Sequence, residues 1–263
     1  MHDFGVVIIA RDEEHNIGEC LVSLHEAGIK NPLVVVDSRT KDKTADLALK
    51  YTSSVSVIDG SRGRLRNTGY KQLGLPFVAY IDADMAVMPG YLETLRLKMD
   101  ENPKLAVVGG IQEPLNCCLL GALDCEYCNY KRAVSTGGAF FRVEAIEEVG
   151  GFSDDLNVGE DGELINRLLQ RGWLKERIDS VVIGHNYAPN YKTWRNKIIH
   201  GKAAGFHSWG VLRLLTSPFI GLHAAWVRRQ PHLIWYVPFR SLTLLLGPGL
   251  RKEYTPTPSN PST

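Results

Sequence analysis

Short apolar runs alternate with segments of helical periodicity along the first part of the chain, and this alternation constrains the fold most. The runs are rich in β-branched residues, as buried parallel strands are. The predicted strands cover residues 6–9, 33–36, 54–58, 77–81 and 106–108, and the predicted helices cover residues 13–27, 44–51, 64–73 and 89–99. Strands and helices in alternation form right-handed βαβ units. The sequence therefore predicts an α/β fold with a mostly parallel sheet and helices on both faces.

Polar residues follow the predicted strands directly, at the edge where α/β sheets bind their ligands. Asp82 and Asp84 come two residues apart after one strand, where both carboxylates can reach one cation. Hard divalent cations such as Mg²⁺ and Mn²⁺ take carboxylate oxygens together with substrate phosphates. An acidic turn before the helix that begins near Pro89 is the alternative. Asp37, at the end of a neighbouring strand, suits the hydroxyls or imide of a nucleoside, or serves as a turn residue.

Three arginines, Arg62, Arg64 and Arg66, stand at a spacing of two near a predicted helix start. Guanidinium groups at the positive end of a helix dipole suit a diphosphate. A solvated basic turn explains the same pattern without a ligand.

The second half of the chain holds three further candidates. Gly137 and Gly138 open a predicted strand within residues 134–141, and such glycines allow close approach of a ligand or form a β-bulge. Asp161 begins a predicted helix, where aspartate is an ordinary capping residue as well as a candidate base. His185 follows a short apolar strand and is, by itself, an ordinary hydrogen-bonding residue.

Taken in order along the chain, these motifs resemble those of the inverting nucleotide-sugar glycosyltransferases of family 2, which have the GT-A fold. The resemblance covers residues 4–185, about two thirds of the chain. The matching segments are residues 7–14 with Ile17, 34–38 with Asp42 and Thr44, 66–67 with Gly69, 80–84, 136–138, 150–152 and 159–168. The chain departs from the family pattern at Asp12, where asparagine is usual, and at residues 39–41, which lengthen the second motif. Both departures touch nucleotide recognition.

The resemblance implies a role for each matching residue. Asp161 matches the catalytic base, which deprotonates an acceptor hydroxyl for in-line attack on the anomeric carbon. The nucleotide-sugar-binding residues would be Ala10, Arg11, Glu13, Asp37, Arg66, Asp82, Gly137 and Gly138, with Arg66 at the diphosphate. The metal ligands would be Asp82, Asp84 and His185, holding Mn²⁺ or Mg²⁺. The metal and Arg66 would stabilise the charge that grows on the leaving nucleoside diphosphate.

Charge is distributed unevenly between the two parts of the chain. Residues 1–179 carry 20 Lys/Arg and 28 Asp/Glu, whereas residues 180–263 carry 10 Lys/Arg and the single acid Glu253. This asymmetry predicts that the C-terminal part meets an anionic partner such as phosphates or a membrane surface. Pairing of the basic segment with the acidic body of the protein is the alternative.

Apolar stretches interrupted by arginines, at residues 209–226 and 233–250, favour helices lying in a membrane interface over spanning ones. Four of the five tryptophans also lie in the basic part. The predicted organisation is a GT-A catalytic domain over residues 1–205, with a nucleotide-binding half to about residue 112 and an acceptor half beyond it. Amphipathic, membrane-associating helices over residues 206–252 and a disordered tail over residues 253–263 would follow.

The five cysteines and the first residues of the chain favour a reducing, cytoplasmic setting. The cysteine number is odd, and the first residues run into a predicted strand rather than a signal peptide. Cys117, Cys118, Cys125 and Cys128 could hold zinc, but an adjacent first pair is atypical of zinc sites and favours small buried side chains.

The predicted function is sugar transfer from a nucleotide-sugar donor (UDP-, GDP- or dTDP-linked) to a hydroxyl or phosphate acceptor, lipid-linked or part of a cell-surface glycan. A polyprenyl-phosphate sugar synthase is the specific alternative. A sugar-1-phosphate nucleotidyltransferase would carry a glycine-rich basic loop after the first strand, and this chain does not. A non-catalytic relative is disfavoured because all three acidic motif residues are present. No nucleic-acid-binding motif accompanies the basic segment.

Overall fold

The computed structural model describes residues 3–116, 119–132, 134–156, 159–187 and 210–246. Most of these residues form an eight-stranded mixed sheet with helices on both faces. The predicted α/β class with a mostly parallel sheet is therefore confirmed.

The sheet has the strand order β3-β2-β1-β4-β7-β6-β8-β5. Strands β1 to β4 run parallel, β6 is parallel to β8, and β7 and β5 are antiparallel to their neighbours. The strands are β1 (Phe4–Ala10), β2 (Leu33–Asp37), β3 (Val55–Ile58), β4 (Phe77–Asp82), β5 (Met85–Val87), β6 (Leu105–Pro114), β7 (Ala139–Arg142) and β8 (Leu174–His185).

The helices connect these strands and cover the sheet. They are α1 (Ile17–Glu26), α2 (Thr44–Ala48), α3 (Arg62–Leu73), α4 (Tyr91–Glu101), α5 (Leu119–Tyr130), α6 (Val143–Glu148), α7 (Glu160–Gln170), α8 (Gly210–Arg228) and α9 (Leu233–Leu246).

Alternating side chains of each strand supply two separate hydrophobic cores. Ile8 of β1 joins the core under α1, α2 and α4, whereas its neighbour Val7 joins the core under α3, α6 and α7. Both side chains are fully buried. Successive strand residues point to opposite faces of the sheet. Each strand of a parallel sheet that is covered on both faces is therefore apolar at consecutive positions.

Several predicted element boundaries are wrong: α1 covers Ile17–Glu26 rather than residues 13–27, and α2 ends at Ala48 rather than at Tyr51. In two further cases a glycine in a left-handed conformation sets the boundary. Helix α4 begins at Tyr91 rather than at Pro89, since Gly90 has a φ of 79°. Strand β7 begins at Ala139 rather than at Val134, since Gly138 has a φ of 82° and a turn precedes it. An L-residue rarely adopts this conformation, and neither a helix nor a strand continues through it.

The C-terminal helices α8 and α9 pack on α5 through a third apolar cluster that includes Leu123, Tyr127, Ala225 and Tyr236. Pro218 and Pro238 lie inside these two helices. Within the part of the chain that the structure describes, we find no helix that is both long and apolar enough to span a membrane.

Internal ion pairs use part of the C-terminal basic charge. Arg228 Nε donates to Glu126 Oε2 at 2.9 Å, and Arg240 Nε donates to Asp124 Oδ1 at 3.0 Å. Both acids belong to α5, so pairing between the basic segment and the acidic body occurs at these two positions. Arg229, by contrast, is exposed.

Several sequence predictions fall outside the described residues. These are the boundary at residue 205, the tail over residues 253–263, the adjacent Cys117 and Cys118, and the tryptophans Trp194 and Trp209. Of the described cysteines, Cys20 and Cys125 are buried and Cys128 is half-buried.

Candidate active site

The predicted site residues collect at the carboxyl edge of β2, β1 and β4 and at the starts of α3 and α7. Parallel pairing sets Ala10 of β1 opposite Val36 of β2 and Ile9 opposite Asp82 of β4. The loops that follow these strands therefore emerge side by side. This is the edge at which open α/β sheets bind ligands.

Asp37 forms the first part of the site together with two arginines. Its buried carboxylate accepts hydrogen bonds from Arg39 Nε at 2.8 Å and from Arg39 Nη2 at 2.6 Å. Arg39 Nη2 also donates to the carbonyl of Gly60 at 2.6 Å. Arg11 Nη1 lies 3.8 Å from the same carboxylate. Sequence reasoning missed Arg39, although an arginine two residues after a strand-end aspartate is within reach of it.

The loop after β1 is hydrogen-bonded to the loop that follows β2. Asp12 has a φ of 54°, and its Oδ1 accepts from the backbone N–H of Lys41 at 2.7 Å. The backbone N–H of Glu13 donates to Thr44 Oγ1 at 2.8 Å. The two departures from the family pattern are Asp12 and the inserted residues 39–41. They lie in the loops after β1 and β2, which are joined by these hydrogen bonds.

Glu13 turns toward the carboxylates at the end of β4. Its Oε2 accepts from Asn16 Nδ2 at 2.7 Å. Burial, and then the charge of Asp84, raises the pKa of Glu13 to about 7. Three carboxyl groups, those of Glu13, Asp82 and Asp84, therefore share a region with an excess of negative charge.

Asp84 and His185 meet because β5 pairs with β8. The antiparallel register sets Met85 opposite His185, and His185 Nε2 lies 3.2 Å from Asp84 Oδ2. Burial lowers the pKa of His185, but the hydrogen bond to Asp84 and the charges of Asp84 and Asp82 together outweigh burial, so the net pKa is raised. The ring stacks on Tyr187 with centroids 4.0 Å apart. His185 Nδ1 is buried and has no hydrogen-bond partner among the described residues.

Asp82 is enclosed by the glycine loop before β7. A Cβ atom added to Gly137 would lie 2.2 Å from Asp82 Oδ2, so only glycine fits here unless the carboxylate moves. The carbonyl of Gly138 accepts from the Tyr91 hydroxyl at 2.5 Å, which fixes the loop against α4. Burial raises the pKa of Asp82, and the opposing charge of Arg66 does not reverse the shift.

Arg66 bridges the end of β4 and the start of α7. Its Nη1 donates to Glu160, and its Nη2 lies 3.4 Å from Asp82 Oδ1. Burial by itself would raise the pKa of Glu160, but the charges of Arg66 and Arg62, together with hydrogen bonds, hold the pKa below its usual value. The guanidinium is thus a buried cation shared by two acids. Sequence reasoning took Glu160 only as part of a motif and missed this pairing.

Asp161 follows Glu160 in the first turn of α7 and is partly exposed. Its Oδ1 accepts from the backbone N–H of Gly162 at 2.7 Å. The charge of Asp161 contributes to the raised pKa of Arg66, which places the two groups in one electrostatic environment. Asp161 therefore lies on the site, next to the bridge between α7 and β4.

Asp82, Asp84 and His185 have suitable donors for a divalent cation but do not enclose one by themselves. In the described ranges there is no cluster of three His, Cys, Asp or Glu side chains arranged to hold a metal ion. Burial is the main cause that raises the pKa of Glu13 and of Asp82, and the charge of Asp84 adds to both shifts; a cation would offset this charge. The donor set fits an ion that completes its shell with phosphate oxygens and water.

Comparison with solved structures identifies the class of fold. The chain is similar to the mannosyltransferase PcManGT from Pyrobaculum calidifontis, solved in complex with GDP-Man and Mn²⁺, with a TM-score of 0.61, 20% identity and coverage of 92% of this chain and 73% of that one. It is also similar to residues 1–349 of S. aureus TarS in complex with UDP-GlcNAc, with a TM-score of 0.56, 18% identity and coverage of 92% and 83%. The chain has the GT-A glycosyltransferase fold.

The family comparison covers the first part of the chain. Residues 5–118 match the profile of the family described as Glycosyl transferase family 2. This match agrees with the resemblance that the motifs in these residues carry.

Curated relatives are distant and longer. Glucomannan 4-beta-mannosyltransferase 7 of Arabidopsis thaliana is 30% identical over 152 residues, which cover 52% of this chain and 27% of that protein. Pre-mycofactocin glycosyltransferase of Mycobacterium tuberculosis is 27% identical over 223 residues, which cover 77% and 47%. The chain thus spans less than half the length of either relative.

Proposed function

We propose that this protein transfers a sugar from a nucleotide-sugar donor to a hydroxyl or phosphate acceptor, with inversion at the anomeric carbon. One observation carries the proposal: Arg66 bridges Asp82 at the end of β4 and Glu160 at the start of α7, and Asp161 is the next residue of that helix. The neighbours' titles, which name GDP-Man with Mn²⁺ and UDP-GlcNAc, support a nucleotide-sugar donor.

The residues of the site divide the work between donor and acceptor. Ala10, Arg11 and Asp37 border the nucleoside, and Glu13 lies between them and the carboxylates at the end of β4. Direct displacement then needs a base on the acceptor side, and Asp161 is that base. Its Oδ1 is engaged by the N–H of Gly162, which leaves Oδ2 to take the proton of the acceptor hydroxyl.

Asp82, Asp84 and His185 would hold a divalent cation, which supplies electrostatic stabilisation of the leaving diphosphate when it is bound. His185 orients the Asp84 carboxylate through its Nε2. Gly137 keeps the space beside Asp82 free of a side chain, and together with Gly138 it would let the backbone approach the donor sugar.

A screen of nucleotide sugars tests the proposal for the donor. Purified protein is heated with UDP-, GDP- or dTDP-sugars in the presence of Mn²⁺, and the unfolding temperature is measured. A ligand that binds only the folded state at about 100 times its Kd stabilises it by about 2.7 kcal/mol. We expect one base to stabilise the protein in Mn²⁺ and not in EDTA. Absence of a shift with every donor would contradict the proposal.

The acceptor part of the proposal places the enzyme on the cytoplasmic leaflet of a membrane, with a lipid-linked acceptor as the specific case. Helix α8 exposes an apolar ridge formed by Leu215, Phe219, Leu222 and Trp226, at spacings of four, three and four residues. Phe219 and Trp226 are 76% and 79% exposed. The opposite face of α8 packs on α5 and α9, so the ridge is available to a partner.

A lipid surface suits this ridge better than a protein groove does. Aromatic side chains with an exposed arginine, Arg229, at the end of the helix are typical of interfacial helices. Arg228 and Arg240 are paired internally, so at these two positions we expect the apolar ridge rather than charge to contribute to binding.

Vesicle co-sedimentation tests the membrane part. We expect the protein to bind vesicles of phosphatidylcholine with phosphatidylglycerol, and the double variant Phe219→Ser/Trp226→Ser to bind them about 100-fold more weakly. Each large apolar side chain that is buried contributes about 1.5–3 kcal/mol. The matched control is Leu49→Ser/Leu97→Ser, which removes two exposed apolar side chains, one directly after α2 and one on α4.

Two outcomes would contradict the membrane part. Wild-type protein that stays in the supernatant at low salt excludes docking. Concentration-dependent dimers that the Phe219→Ser/Trp226→Ser change abolishes, without vesicle binding, would assign the ridge to a second copy of the chain.

A further inference from the structure

The bridge between Arg66 and Glu160 is the most enclosed ion pair that the structure describes, and the proposed chemistry does not use Glu160. Each of the two side chains is only 4% exposed. The Arg66 guanidinium also packs at 5.7 Å from the ring centroid of Phe152. A buried cation with two acidic partners restricts how the elements that carry these three groups can move relative to each other. Separating the cation from a partner would leave a buried charge without compensation.

Among the described residues, the contact between Arg66 and Glu160 connects the first turn of α7 to the end of β4. Gly159 precedes the helix in a left-handed conformation with a φ of 80°, and it has no side chain with which to cap the helix. The first turn carries three acids, Glu160, Asp161 and Glu163, and Arg66 compensates one of them at close range.

Helix α3 gives Arg66 a rigid base for this role. Ser61 caps the helix by accepting from the N–H of Arg64 at 3.1 Å. Asn67, next to Arg66, exchanges two hydrogen bonds with the backbone of Phe152, at 2.8 and 2.9 Å. The carbonyl of Arg66 accepts from the buried Tyr80 hydroxyl at 3.2 Å. Arg66 is thus fixed to the sheet and to the loop that leads toward α7.

We propose that Glu160 is a positioning residue: by binding Arg66, it holds the first turn of α7, and with it the Asp161 carboxylate, in place relative to Asp82. This inference rests on the proposed function. Asp161 and Glu160 are consecutive residues of a helix, about 100° apart around its axis. One carboxylate can therefore be buried against Arg66 while the next faces the site.

A purely structural ion pair is the competing explanation, and Glu163 provides the matched control. Glu163 pairs with Arg167 on the same helix, at 2.7 Å between Oε2 and Nη2. Arg167 otherwise binds the carbonyls of Val149 and Gly151, and no contact joins it to Asp82. Glu163→Gln therefore removes an ion pair of α7 and leaves the bridge to β4 intact.

The test compares donor turnover by wild type, Glu160→Gln, Glu160→Asp and Glu163→Gln, with kcat and the donor KM determined separately. We expect Glu160→Gln to lower kcat about 10- to 100-fold with the donor KM within about threefold, since a displacement near 1 Å suffices for such a loss. Glu160→Asp restores the charge on a shorter side chain, so its kcat lies between those of Glu160→Gln and wild type. Glu163→Gln keeps the wild-type kcat.

Three outcomes would overturn the inference. One is a wild-type kcat in Glu160→Gln, and another is an equal loss in Glu163→Gln. The third is a loss confined to donor KM, which would make Glu160 a donor-binding residue. If Glu160→Gln does not fold, Glu160→Asp decides, because a wild-type kcat in that variant excludes positioning. A wild-type protein that turns over no donor overturns the proposed function as well, whereas an active wild type with unaffected variants overturns only the inference.

Discussion

Replacing Asp161 with asparagine lowers the rate of sugar transfer by about 10²–10⁴-fold, which is the range that a general base contributes. Asparagine has nearly the same size as aspartate and can still accept from the N–H of Gly162 through its Oδ1. It cannot take the proton of the acceptor hydroxyl. The loss therefore falls on kcat, and the affinity for donor and Mn²⁺ is unchanged.

Steady-state kinetics together with donor binding measures this effect. Asp155→Asn is the matched control, since Asp155 is an exposed acid in the loop before α7 and lies outside the proposed machinery. The assignment of Asp161 fails if donor affinity collapses while the rate at saturation stays at the wild-type value.

Replacing Asp84 with asparagine removes a charged oxygen from the proposed metal site and has the second large effect. A metal ion contributes several kcal/mol to stabilising charge in a transition state, so we expect turnover to fall by about 10³-fold or more. The fold should persist, because an asparagine at this position retains an acceptor for the hydrogen bond from His185. Stabilisation by donor and Mn²⁺ should weaken in parallel.

Thermal unfolding with and without Mn²⁺ separates the metal from the fold in the Asp84→Asn variant. Asp46→Asn, on the exposed side of α2, is the control for loss of an acid elsewhere. Turnover of Asp84→Asn at the wild-type rate, or wild-type turnover in EDTA, would contradict a metal held by Asp84.

Local sequence patterns predict the sheet and the position of the site well. Residues 33–36 form an apolar run and are buried. A strand that is covered on both faces needs apolar side chains at every position, so an uninterrupted apolar run predicts such a strand. Asp37 and Asp82 follow such runs, so the strand ends place them without any knowledge of long-range contacts. Element boundaries fail where one glycine changes backbone conformation, as at Gly90 and Gly138.

Long-range pairing is the part that the sequence does not reveal. Arg66 and Glu160 are 94 positions apart, and no periodicity links them. An arginine near a helix start predicts a cation that is available to bind a diphosphate. Arg66 is instead buried between the carboxylates of Asp82 and Glu160. Similarly, the net charge of the C-terminal segment does not show that Arg228 and Arg240 are paired with α5.

Release of nucleoside diphosphate from nucleotide sugars tests the central claim most directly. The full chain is incubated with UDP-, GDP- and dTDP-sugars in Mn²⁺, and the freed diphosphate is quantified against the same reactions in EDTA and with Asp84→Asn. We expect slow release from donors of one base in Mn²⁺, and we expect this release to be lost in EDTA and in the Asp84→Asn variant. Release from no donor, or release at equal rates with and without Mn²⁺, would contradict a metal-assisted glycosyltransferase.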